Sequence, residues 1–321
     1  MEEESGTMDL LQNEMLNIRY VKLHFTLMFT EDTVLPRHKA SMLRGGIGEM
    51  LLRMNCIKDR NCESCGFIRE CLVQRTLYSQ FDRKPDFMTT GESIGYVLKC
   101  EDTREHFYAG DQMKFVLLLF GKTIVYFNQF LQALYQLGIY GIGKEQAKFK
   151  MVSVSNTRMQ PILEGTNVYM ERYRVEYVRD YVAWRLGHLK AAEDTVYTMH
   201  FTMPLTVKYH NEFVKEFQME SVLLAARRRI YMLDCFENID GKAYYRKELK
   251  IPERLDQKAF SCSIPRVSFR KNQKMVLRGI RGWMTFTGIC EEELALLLAG
   301  ELVHIGKNTS FGFGKYRIMR V

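Results

Sequence analysis

Long hydrophobic runs are missing from this chain. Its longest unbroken apolar stretches, Phe115–Phe120 and Leu294–Ala299, fall far short of the roughly 20 residues that cross a bilayer. The opening Glu2-Glu3-Glu4 run is unlike a signal peptide. A soluble, cytoplasmic protein with no membrane partner is therefore expected. No low-complexity repeat is visible, and only Met1–Gly6 reads as disordered. The G-x-x-x-x-G-K-[ST] arrangement is also lacking: Lys307 follows the first glycine of its loop, not the last, which argues against a Walker NTP site.

What is present suits a two-domain protein. The 321 residues are 46% apolar, enough for two cores. Lys and Arg exceed Asp and Glu by eight, and the excess is concentrated. Cys262–Val321 holds ten basic residues against four acidic ones, as a phosphate-backbone footprint would. Within it lies His304-Ile-Gly-Lys-Asn-Thr-Ser-Phe-Gly-Phe-Gly-Lys-Tyr-Arg317. Its glycines Gly306, Gly312 and Gly314 allow close backbone approach. Lys307, Asn308, Thr309, Ser310 and Lys315 supply the donors a nucleic-acid backbone needs.

Periodicity orders the chain. Val21, Leu23, Phe25, Leu27 and Phe29 alternate as in a half-buried strand, and Ala40–Met54 can form a helix despite Gly45, Gly46 and Gly48. Glycines there imply a close neighbour, a strand or RNA. A strand follows at Gln112–Phe120, a helix at Thr123–Leu137 and a strand at Lys148–Val154. After a polar stretch around Glu171–Asp194 a second cycle begins. It has a strand at Thr195–Lys208, a helix at Gln218–Phe236, strands at Val267–Phe269 and Met275–Ile289, a helix at Glu291–Leu302 and a last strand from Tyr316. The pattern predicts an α+β fold of tandem ferredoxin-like (RRM-like) domains, residues 1–190 and 191–321, with a cysteine-rich insertion over about 55–90 in the first.

That insertion carries Cys56, Cys62, Cys65 and Cys71 in a C-x5-C-x2-C-x5-C array. Four thiols so spaced can ligate one tetrahedral ion, with structural zinc the leading reading and an iron–sulfur cluster the alternative. Lys58, Arg60 and Arg69 would offset thiolate charge. Cys100, Cys235, Cys262 and Cys290 are scattered and read as small buried residues.

Three segments together resemble a known family. Gly300-Glu-Leu-Val-His-Ile-Gly-Lys-Asn-Thr-Ser-Phe-Gly-Phe-Gly-Lys-Tyr-Arg-Ile318 is similar to the C-terminal signature of the CRISPR-associated repeat-RNA endoribonucleases of the RAMP superfamily. Ser268-Phe-Arg-Lys-Asn-Gln-Lys-Met275, with Gly279 and Gly282 beyond, resembles the family's basic segment. Leu43-Arg-Gly-Gly-Ile-Gly-Glu-Met50 resembles its first helix. The resemblance implies tandem ferredoxin-like domains, processing of precursor CRISPR RNA, a histidine catalyst after the first strand, and RNA or other CRISPR effector and adaptation proteins as partners.

RNA scission by 2′-hydroxyl attack needs proton transfers and a cation for the developing charge, and no metal for either. Among seven histidines His38 has the best setting, in Pro36-Arg-His-Lys39, with Arg37, Lys39 and Arg44 near. Neighbouring cations favour its neutral form, that of a general base; Lys39 or Arg44 would assist. His304 is read as an RNA contact first and a rival catalyst second. His24, His106, His188, His200 and His210 have no catalytic company in sequence. Arg270, Lys271 and Lys274 around Phe269 suit RNA phosphates and base stacking, and Arg227-Arg228-Arg229 read as a solvated helix face that could extend that surface. The expected activity is metal-independent cleavage of CRISPR repeat RNA, leaving 2′,3′-cyclic phosphate (or 3′-phosphate) and 5′-hydroxyl ends. A non-catalytic RAMP-type RNA-binding subunit and a metal-pinned adaptor of the adaptation machinery are the alternatives.

Overall fold

Strand β1 (Arg19–Phe29) buries Val21, Leu23, Phe25, Leu27 and Phe29 on one face, as its alternation requires. It is central to a seven-stranded antiparallel sheet, which also contains β2 (Tyr96–Lys99), β3 (Gln112–Phe120), β4 (Phe149–Ser155), β5 (Pro161–Glu164) and β6 (Asn167–Val168). The order is β2-β3-β1-β4-β5-β6, and Glu176–Tyr177 pairs with the start of β1. Phe25 lies opposite Phe115 in the β1–β3 ladder with rings stacked 4.8 Å apart, a cross-strand pair that fixes the register. Helices α1 (Ala40–Asn55), α2 (Leu72–Leu77) and α3 (Phe127–Tyr140) cover this face. The computed structural model describes residues 16–88, 93–189, 195–240, 245–268 and 273–321, with the backbone alone at 267, 268, 273 and 274.

After α4 (Val178–Leu189) the pattern repeats: β7 (Tyr197–Leu205), α5 (Met219–Glu237), β8 (Glu253–Ser268), β9 (Gln273–Thr287), α6 (Glu291–Val303) and β10 (Tyr316–Arg320). The second sheet runs β8-β9-β7-β10. Both cycles are thus βαββαβ with the fourth, first, third and second strands adjacent in that order, the tandem ferredoxin-like fold expected from the sequence.

Three local expectations change. The helix expected from Thr123 begins as a 3-10 turn, Gly121–Tyr126, before α3. The polar stretch before the second cycle contains α4, which turns Val178, Val182 and Leu189 inward. The first arm of the C-terminal hairpin starts at Glu253 rather than Val267, and β8 and β9 stay paired over their whole length while β7 follows β9 only to Ile280. The outer part of the hairpin, Cys262–Ser268 paired with Gln273–Gly279, therefore leaves the sheet as a two-stranded arm.

The two units dock through the other face of the first sheet. Ile18, Tyr20, Val97, Leu118 and Phe120 join the core built by α5, α6 and the second sheet. Arg229 is buried here, donating to the carbonyls of Val303 and Ile94 at 3.3 and 3.1 Å with its guanidinium over Phe120. It seals the junction and is not part of a solvated basic face, which corrects the reading of Arg227–Arg229 as one surface. The glycines of α1 also have a packing reason. A Cβ on Gly46 would stand 2.7 Å from Leu137, so α1 and α3 cross there in close contact.

Asp234 of α5 is buried, and its Oδ1 has no partner among the described residues. Burial, and next the charge of Glu237, push its carboxyl up to about 8. The folded state thus holds a proton that the unfolded chain releases above about pH 4. The contribution of Asp234 to stability should be fullest below that pH and fall as pH rises toward 8, with a slope of up to ~1.4 kcal/mol per pH unit. Asp234→Asn is expected to flatten that slope. Its gain in denaturant midpoint over wild type should be large at pH 8 and small at pH 4.

Candidate RNA-processing site

His38 lies on the loop between β1 and α1, half-buried. Its ring is held below its ordinary pKa by burial first, then by Arg37, Arg281 and Lys39. It is therefore neutral at pH 7, the form that accepts a proton. Arg281 comes from β9, so the site joins the N-terminal domain to the C-terminal hairpin. Arg281 is exposed and forms no ion pair among the described residues. Nothing in the sequence around His38 points to it, because the two lie 243 positions apart.

Lys39 does not join the chemistry. Its side chain is fully buried, its Nζ donates to the carbonyls of Asp102 (3.0 Å) and Arg104, and it lies over the ring of Phe107. A cation anchored to two carbonyls beneath the surface cannot reach a phosphate; it fixes the loop that presents His38. Arg44 lies one turn into α1. Its Nε donates to Tyr96 Oη at 2.9 Å, and Nη2 donates to Ser93 Oγ at 3.1 Å. Its guanidinium lies 4.8 Å above the centroid of Phe311.

The glycine-rich loop is engaged mainly by the protein itself. Thr309, Ser310, Phe311, Gly312, Phe313 and Gly314 are buried, while Gly306, Asn308 and Lys315 are half-exposed and Lys307 is exposed. His304 is 1% exposed, and its Nδ1 lies 3.2 Å from the Phe313 carbonyl. Burial and nearby Lys99 and Lys315 hold it neutral, well below its ordinary pKa. His304 thus braces the loop and is corrected from RNA contact and rival catalyst to a structural residue. Thr309 and Ser310 are likewise turned inward. Gly314 adopts φ +67°, and a Cβ there would be 1.8 Å from the Ile305 carbonyl oxygen. The Lys307 N–H donates to Thr206 O at 2.8 Å, and the Gly314 N–H to Pro204 O at 2.8 Å. Gly312 approaches the backbone of β2 at Leu98, so the loop locks the second domain against the first. Lys315 pairs with Glu101.

Of the basic trio expected to hold RNA, Arg270 and Lys271 lie outside the described residues, and Lys274 is known by its backbone alone, paired with Val267 on the arm. Arg266 and Arg278 are on the same arm, and Arg281 lies at its base.

A further basic group escaped the sequence reading. The face of β1 that docks through Ile18 and Tyr20 continues as Lys22 and His24, and Lys99, Val116 and His24 form one row across β2, β3 and β1. Burial, with Lys22 and Lys315, lowers Lys99 to about 8. Burial, with Lys22 and Lys99, lowers His24 to about 4. Beside them, Arg317 on β10 pairs in register with His200 on β7. This strip is visible only once the strands are aligned.

Cys56, Cys62, Cys65 and Cys71 all line one cavity with α1 and α2. The Cys56 sulfur accepts the Arg60 backbone N–H at 3.2 Å, and that of Cys62 accepts from Gln74 Nε2 at 3.4 Å. Soft thiol donors fit zinc or iron in chemistry. Among the described residues, however, no three His, Cys, Asp or Glu side chains converge as metal ligands.

No helix among the described residues is long and apolar enough to cross a membrane. Two family models match the chain: the AF_1859_N N-terminal domain over residues 16–178, and the CRISPR-associated endoribonuclease Cas6 over residues 199–316. No curated protein matches in sequence. Among solved structures, a partial Cas6-RT-Cas1–Cas2 complex aligns over 95% of this chain and 46% of its own, at 13% identity and a TM-score of 0.59. The Cas6-RT-Cas1–Cas2 complex aligns over 95% and 29% with the same identity and score. This chain thus spans less than half the length of those two. A Cas6 product complex aligns over 96% of this chain and all of its own, at 13% identity and a TM-score of 0.52. At such identities the likeness lies in the fold. The chain belongs to the family of the AF_1859_N N-terminal domain, and its second half, which holds the glycine-rich signature, is similar to the CRISPR-associated endoribonuclease Cas6.

Proposed function

We propose that this protein is a metal-independent endoribonuclease that cleaves CRISPR repeat RNA in precursor transcripts. The observation that supports this most is His38, neutral and half-buried just before α1, where the charge of Arg281 from the hairpin reaches it. In this reading His38 takes the proton of a 2′-hydroxyl as O2′ bonds to phosphorus. The bond to the 5′-oxygen breaks, and that oxygen leaves with a proton from solvent. Arg281 stabilises charge on the phosphorane. The products are a 2′,3′-cyclic phosphate and a 5′-hydroxyl. Lys307, the arm and the Lys22–Lys99 strip supply backbone contacts, so affinity should fall steeply with salt. The test is cleavage of labelled repeat RNA in EDTA, with the product ends identified. Tight binding without cleavage would favour an RNA-holding subunit of a CRISPR complex.

We also propose that the four cysteines bind a structural zinc, which would tie the end of α1 to the start of α2, since Cys56 caps the one and Cys71 the other. Elemental analysis should find about one zinc per chain, lost in a Cys62→Ser/Cys65→Ser double variant. Iron with visible absorption would assign a cluster instead.

A further inference from the structure

The cavity of about 580 Å³ beside α1 has two ends. Cys56 lies at one. At the other, some fifteen residues and roughly 20 Å back along the helix, are Ser41, Arg44, Gly45, Arg266 and Phe311. Here the Arg44 and Arg266 guanidiniums both lie over the ring of Phe311, 4.8 and 4.6 Å from its centroid. Neither makes an ion pair with a carboxylate among the described residues. The Nε of Arg266 is buried with no hydrogen-bond partner. A buried guanidinium donor left unmatched is costly, and two unneutralised guanidiniums sharing one ring repel. Each lowers the cost of an anion binding beside them. Glu49 also borders the cavity, but it is taken up by Arg53 and Arg60 at 2.8 and 2.7 Å. From the arginines the wall continues as Gly45 and then Gly48, where a Cβ would stand 3.1 Å from Leu77 Cδ1, with apolar Leu52 and Val73 beyond.

An anion seat opening onto an apolar slot of ligand size matches a nucleotide, with phosphate at one end and base at the other. We propose that this end of the cavity holds one unpaired nucleotide of the bound RNA, its phosphate on Arg266 and Arg44 and its base along the glycine face of α1. The proposal rests on the RNA-binding part of the function above and adds a subsite that Arg266 and Phe311 bring to α1 from the hairpin and the glycine-rich loop.

The test uses the full chain, labelled repeat RNA and its single-abasic derivatives, with binding read by anisotropy over a salt series. Arg266→Ala should weaken binding by ~10-fold or more and lower the salt slope by about one. Arg266→Lys, which keeps charge but not the planar fork, should recover only part. For the wild type, one abasic position should weaken binding more than its neighbours. Leu52→Trp, which narrows the slot two turns along α1 from Arg44, should bind the intact and that abasic RNA equally. If Arg266→Ala keeps the wild-type affinity and slope, or no abasic position stands out, the subsite is overturned while RNA binding stands. If the wild type binds no RNA, both fall. Circular-dichroism melts of each variant separate misfolding from lost contact.

Discussion

His38→Ala is expected to lower the rate of repeat-RNA cleavage by ~10²–10⁴-fold, the usual worth of a positioned proton-transfer group, and to leave RNA affinity nearly unchanged. Single-turnover rates with saturating protein, beside anisotropy on the same samples, separate the two quantities. The pH dependence gives a second reading. The ring titrates below its ordinary value of 6.5, because burial and three cations oppose its charge. As a general base it works when neutral, so the rate should rise with pH up to that lowered value and be level through pH 7. Arg281→Ala removes one of the opposing cations. The acid limb should then move to higher pH and the level rate should drop, since the charge stabiliser is lost too. A merely structural Arg281 would not shift the limb. An unchanged rate in His38→Ala would remove it as catalyst, and the Lys99–His24 row would become the next group to test.

How far the sequence carried this reading depended on whether a signal was local. The two ferredoxin-like cycles were legible because Val21 to Phe29 and the apolar positions of Gln218–Phe236 keep the periods of strand and helix. Helix α4 was not, because Arg185 occupies one of its buried positions and Trp184 lies exposed. The arm was short-read because Leu255, Phe260 and Val276 are exposed, so no clean alternation marks it. The glycine loop stands out by composition, but the direction its side chains face does not. Hydroxyls and N–H groups that suit a phosphate suit protein carbonyls equally, and only the fold shows Thr309, Ser310 and His304 facing inward. Arg281 beside His38 and Arg266 beside Arg44 are long-range pairings that spacing cannot reveal.

The buried charge that hid α4 also identifies the substitution expected to cost the most stability. Glu301 of α6 has a side chain only 3% exposed. It accepts from Arg185 Nε (3.0 Å) and Nη2 (3.2 Å), Arg317 Nη1 (2.6 Å), Tyr181 Oη (2.5 Å) and the Ile318 N–H (2.9 Å). One carboxylate thus ties α4, α6 and β10 together, and Arg185, 5% exposed, has its other strong partner in the Ile318 carbonyl at 2.6 Å. Removing one partner of a buried pair strands the other's charge, at a cost of ~3–5 kcal/mol. Glu301→Ala should therefore lower the unfolding free energy by about that amount in urea, and Arg185→Ala by a similar amount. The double variant Arg185→Leu/Glu301→Leu should lose less than the two single losses combined, because no charge is left stranded. Additive losses would mean the carboxylate and guanidinium act independently. Release of Arg317 from Glu301 sets it beside the Lys22–Lys99 strip, so Glu301→Ala at a temperature where it remains folded should also bind RNA more tightly at low salt. A stability loss without that gain would place Arg317 outside the RNA path.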